Sequence, residues 1–158
     1  MITHPKAKNP NNAREALAIA RRYVAHDVTV LRRQCDHYVG VWYGYEHSGE
    51  TNALAHFRHI PPEYRLPSTS AMHGALAFYA HMDKHGDYFG EGHVAIINAG
   101  GRGKPTTIIT PDAPHATEIS EQPFGFPETK WGMVFIAMTQ PLFPHGIATT
   151  ARRVPWFG

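Results

Sequence analysis

Apolar positions along this chain recur with two different periods, and the change of period falls near Pro67. Before it, Ala16, Ile19, Ala20, Tyr23 and Val24 return at helical spacing, behind Asn12 and Glu15 placed three apart as a capping box. They predict a first helix over residues 13–26. A break at Asp27-Val28-Thr29 leads into a second helix carrying Cys35, Val39, Trp42 and Tyr43 and ending near Gly44. Residues 51–57 predict a short third helix, stopped by Pro61-Pro62. Beyond Pro67 the runs are β-like: 74–79, 93–97, 106–110, 116–119 and 133–138, with a turn at Gly100-Gly101-Arg102-Gly103. Helices followed by strands predict an α+β fold, N-terminal helices packed on an antiparallel β-sheet. Residues 1–12 read as a flexible leader, 13–140 as a single domain and 141–158 as an irregular tail.

Composition narrows the function classes. With 158 residues, 42% of them apolar and 18% charged, the chain suits one domain with one core. Fifteen basic and thirteen acidic residues leave +2, with no block of like charge to suggest nucleic acid or a membrane surface. The single cysteine excludes an internal disulfide framework and any Cys-rich zinc motif. No apolar stretch approaches the ~20 residues of a membrane-spanning helix. Met1-Ile2-Thr3-His4-Pro5 does not read as a signal peptide, so the expectation is synthesis in the cytoplasm and delivery by another agent.

The candidate chemistry centres on Cys35, at the start of the second helix, and on His93, which follows Gly92 and opens the apolar run Val94-Ala95-Ile96-Ile97. A helix start lowers a thiol's pKa, and a facing imidazole takes its proton, so the pattern predicts a thiolate–imidazolium pair. Gln34 and the Cys35 N–H are candidate oxyanion donors. Asp112 is the first choice to orient the histidine, with Thr110 and Asn98 as alternatives. Tyr43, Tyr45, Tyr88 and Phe89 are candidate groove residues, whereas Trp42 and Phe78 read as core. A rival metal site is His81 with His85, among Asp83 and Asp87. That stretch lacks a His-Glu-x-x-His signature and reads more readily as a solvated hairpin loop.

The order Gln34-Cys35, Tyr38-Val39, Asn52-Ala53, Phe57, Pro67, Gly74-Ala75-Leu76 and Gly92-His93-Val94-Ala95-Ile96 resembles the CHAP and NlpC/P60 superfamily. These are papain-like cysteine amidases and endopeptidases, many of which cut peptidoglycan. The resemblance covers residues 13–138. It implies a papain-like fold, Cys35 as nucleophile, His93 as base, and Asp112 or Thr110 as third residue. It also implies peptidoglycan or its stem peptides as partner, no metal or other cofactor, and delivery by a holin, a secretion system or a tail device. The other functions weighed are a non-catalytic binding or structural module on the same fold, a phage tail or virion part, and a metal-dependent hydrolase using the His81–His85 loop.

Overall fold

The computed structural model describes residues 7–67, 71–100 and 103–148. Parts of the expected leader (1–6), turn (Gly101 and Arg102) and tail (149–158) lie outside these. The fold is α+β. Helices α1 (Ala13–Ala25), α2 (Cys35–Trp42) and α3 (Ala53–His59) precede most of an antiparallel sheet. Its strands are β2 (Arg65–Leu66), β3 (Leu76–Met82), β4 (Tyr88–Asn98), β5 (Thr107–Pro111), β6 (Ile119–Pro123) and β7 (Val134–Thr139), in the order β2-β7-β3-β4-β5-β6. Helix α4 (Phe126–Trp131) lies between β6 and β7. A separate ribbon pairs β1 (Tyr45–His47) with β8 (Ile147–Ala148).

Helices α1 and α3 start where a side chain satisfies a free N–H. Asn12 Oδ1 accepts from the Glu15 N–H at 2.9 Å, and Glu15 Oε1 from the Asn12 N–H at 3.0 Å, closing the expected capping box. Asn52 Oδ1 caps α3 through the Ala55 N–H at 2.8 Å. The helices bury Leu17, Val39, Trp42, Leu54 and Phe57 against Leu76, Phe78, Val94, Ile96 and Ile109 of the sheet. Alternate sheet residues, Ala77, Tyr79, Ala95, Ile97 and Ile108, form a second cluster, which explains why β3 and β4 carry nearly continuous apolar runs. No helix among the described residues is long and apolar enough to cross a membrane.

Two stretches expected to be loose are tied down. In the leader, the Asn11 N–H donates to the Tyr43 carbonyl at 2.9 Å, and Ala7 and Asn9 bond to Gln140 and Pro141. In the tail, Phe143 is buried against Tyr43, Tyr45 and His56 before β8 forms. Polar side chains hold the first stretch and one aromatic anchor the second, and neither leaves a periodic signature.

Candidate active site

A cavity of about 620 Å³ opens where the start of α2 meets β4 and the end of β5. Gln34, Cys35, His93 and Asp112 all line it, together with Arg32, Arg33, Asp36, Glu91 and Trp131. Cys35 is the first residue of α2, and Gln34 is its N-cap, making no side-chain capping bond. The backbone N–H groups of Val94 and Asp36 act on the Cys35 sulfur, lowering the thiol's pKa against its burial. Val94 follows His93, so the helix start and the strand carrying the imidazole meet at the sulfur. Gly92 makes that approach possible. A Cβ there would lie 3.0 Å from the Leu54 nitrogen of α3, and its φ of +71° suits only glycine well.

The partner of His93 is Thr110, and it is not Asp112. His93 Nε2 lies 2.6 Å from Thr110 Oγ1, and the same hydroxyl donates its proton to the Pro111 carbonyl at 2.9 Å. A hydroxyl with its one proton committed can only accept from the ring, so Nε2 carries the hydrogen and Nδ1 is left as a base. Asp112 instead accepts the Arg33 N–H at 2.9 Å and the Thr117 N–H at 3.1 Å. Arg33 and Thr117 both have left-handed backbone, at φ +61° and +71°. The carboxylate clamps the strained turn that delivers Cys35 and takes no part in orienting the imidazole. Asn98 is engaged elsewhere, bonded to Arg21 and Glu121.

Burial overturns the expected ion pair. Cys35 is only 6% exposed, and burial first, then the Asp36 charge, pushes its thiol up to about 12. Relative to an ordinary thiol this disfavours the thiolate by roughly 4 kcal/mol, more than the ~0.3–2 kcal/mol a helix terminus returns. Burial likewise pulls His93 down to about 3. Burial thus favours a neutral thiol and a neutral imidazole in the cavity they share. Alkylation of Cys35 by iodoacetamide at pH 8 should therefore run at least about 100-fold slower than that of free cysteine and climb beyond pH 9. A rate plateau below pH 8.5 would show that the ion pair forms after all.

A second histidine behaves oppositely. His56 is fully buried, with Nδ1 2.6 Å from Asp36 Oδ1 and Nε2 2.7 Å from the Leu142 carbonyl. Both partners accept, so both ring nitrogens carry hydrogen. Burial opposes that charge, but the Asp36 carboxylate and the Leu142 carbonyl raise the pKa on balance. This pair pins the first turn of α2 to α3 and to the segment after β7.

The expected groove aromatics do not line the cavity. Tyr43 is buried, its hydroxyl donating to the Gly74 carbonyl. Tyr45 packs on Phe143 and donates to Asn9 at 2.8 Å. Tyr88 packs against the core, and Phe89, 50% exposed, lies beside His81 outside the cavity wall. The aromatic that does line it is Trp131, whose ring stands edge-on to His93 at 4.8 Å between centroids. It comes from α4, which the sequence reading missed although Pro127 near its start and Gly132 at its left-handed end (φ +65°) mark a helix. His81 lies in β3 and lines the cavity, whereas His85 sits in the hairpin turn beyond it, where Asp83 Oδ1 accepts the His85 and Asp87 N–H groups.

No family model, curated protein or solved structure matches the chain. The chemistry is therefore argued from the geometry. A neutral base and a thiol lining one cavity, the N–H of a first helical residue and an N-cap amide that makes no capping bond suit attack on an acyl carbon, with the developing oxyanion received at the helix start. Thr110→Val should lower kcat/KM by roughly 10–100-fold by freeing the ring, while Asp112→Asn should chiefly lower the melting temperature. Kinetics and thermal melts on both variants check this, and an Asp112→Asn loss larger than that of Thr110→Val would reverse the two roles.

Proposed function

We propose that this protein is a papain-like cysteine hydrolase that cleaves amide or peptide bonds of peptidoglycan. The observation that carries the reading is the single constellation of Cys35 at the first position of α2 with His93 oriented by Thr110 in the same cavity. Cys35 attacks the scissile carbonyl as His93 Nδ1 takes its proton. The carbon–nitrogen bond then breaks as the imidazolium protonates the leaving amine. Water, deprotonated by the same nitrogen, hydrolyses the thioester and returns the thiol. Taking the proton during attack suits a site whose resting partners are both neutral.

The walls support the substrate class. Arg32 and Arg33 stand at the rim and Glu91 lines the cavity, offering both charge signs to stem peptides that carry carboxylates and amines. The specific choice of peptidoglycan rests on the resemblance of the Gln34-Cys35 and Gly92-His93-Val94-Ala95-Ile96 segments to CHAP and NlpC/P60 enzymes. Lysin-like use, after release through a holin or injection by a secretion or tail device, belongs to the same proposal.

Purified protein incubated with isolated sacculi should release muropeptides bearing new amine and carboxyl ends, read by mass spectrometry. Intact sacculi from several wall chemotypes would sink the peptidoglycan reading. The non-catalytic module would then take its place if small amide substrates also survived.

A further inference from the structure

Away from Cys35, three side chains from distant parts of the chain converge. Glu50 is buried, its side chain 2% exposed, between two half-exposed imidazoles, His59 at the end of α3 and His145 ahead of β8. His59 Nδ1 lies 2.7 Å from Glu50 Oε1, and His145 Nδ1 lies 2.9 Å from Glu50 Oε2. The two rings stand edge to face, 4.7 Å between centroids. One candidate donor atom from each residue falls within 4.8 Å of the others, and no other such group of three exists among the described residues. The His81–His85 loop does not form one.

We propose that Glu50, His59 and His145 bind a divalent first-row cation of the zinc class. Two imidazole nitrogens and one carboxylate oxygen are a borderline donor set that suits zinc and its neighbours better than calcium or magnesium. Tetrahedral bonds of about 2.0–2.1 Å place donor atoms about 3.3 Å apart. One imidazole, 2.7 Å from Oε1 or 2.9 Å from Oε2, needs to open by only about half an ångström, and the other turns from its own oxygen to the shared one, all three donor atoms lying within 4.8 Å of one another. The cation takes the place of the two Nδ1 hydrogens, and in each neutral ring that proton moves to Nε2, the tautomer that leaves Nδ1 free to ligate. Three protein ligands leave a fourth position for water. Glu50 carries its negative charge in a buried place, which a dication offsets more fully than two neutral N–H donors.

The site braces the molecule and takes no part in the Cys35 chemistry. His145 lies in the segment whose Phe143 and Leu142 contact the core and His56, and Glu50 also lines the wall of the active-site cavity. Cation binding therefore joins α3, the loop before it and the segment after β7 beside the cavity.

The test is equilibrium dialysis of the full chain against zinc chloride with metal analysis, together with thermal melts and the visible spectrum of the cobalt form. Expected are one zinc per chain, a melting temperature raised by roughly 5–10 °C at a hundredfold excess over Kd, and the intense absorption of tetrahedral cobalt. His59→Ala/His145→Ala, at half-exposed positions, should remain folded and lose all three signals. His81→Ala/His85→Ala and Cys35→Ala should keep them. Undiminished zinc in the His59/His145 variant, or loss in the His81/His85 variant, would overturn the proposal. Since Cys35→Ala is expected to bind metal without hydrolysing, failure here and failure of the hydrolase reading are separate results.

Discussion

Cys35→Ala is expected to abolish hydrolysis, with kcat/KM down by roughly 10⁴-fold or more, while the fold persists. The chain has no second thiol to take over the attack. What remains is the helix start, Gln34 and the cavity walls, which bind and polarise a carbonyl but form no bond to it. The structural cost comes from emptying a buried position that the Val94 and Asp36 N–H groups face. An orphaned buried N–H costs about 1–3 kcal/mol. Cys35→Ser keeps an acceptor in place and should be nearly as stable as the parent, yet comparably inactive, because the hydroxyl is a far weaker acid than the thiol. Sacculus digestion and thermal melts on the pair separate nucleophile from packing residue. Activity in the alanine variant would sink the assignment.

His93→Ala should be almost as severe, at roughly 10³–10⁴-fold, and the double variant with Cys35→Ala should be no worse than either alone. In the proposed mechanism proton removal and attack are one event, so removing either group should remove the step. His93 also sets an acid limit on stability. Its pKa is about 3 in the fold, against ~6.5 in the unfolded chain. Between those values the unfolded chain binds a proton that the folded one does not, so stability falls as pH drops from about 6.5 towards 3. The slope from this group approaches about 1.4 kcal/mol per pH unit. Urea unfolding of His93→Asn from pH 7 to 4 should show a flatter acid limb than the parent. Parallel curves would mean that the imidazole is already charged in the fold.

The site was legible in the sequence where its chemistry coincides with local signals. Cys35 follows a helix break, and His93 follows a glycine at the mouth of an apolar strand; one cavity holds both. The choice of partner for His93 was not legible. Thr110 and Asp112 lie two residues apart at one strand end, and only the strand's register and the turn beyond it decide which reaches the ring. Charge favoured Asp112, but its carboxylate is drawn to two N–H groups exposed by left-handed turns. The groove aromatics failed for a similar reason: nearness in sequence to Cys35 or His93 says little about which face a ring occupies. Tyr43 turns into the core, whereas Trp131 arrives from a helix far along the chain.

By itself the sequence determined the α+β class, the capped start of α1, the central strands and the choice of one thiol and one histidine that line the same cavity. Those follow from periodicity, caps and composition, which act over a few neighbouring residues. Only the tertiary structure decided that burial pushes the thiol up and the imidazole down, that Thr110 holds His93, that Asp36 raises the pKa of His56, and that Glu50, His59 and His145 meet. Protonation depends on desolvation and on charges brought close by packing, and neither is a property of any single stretch of chain.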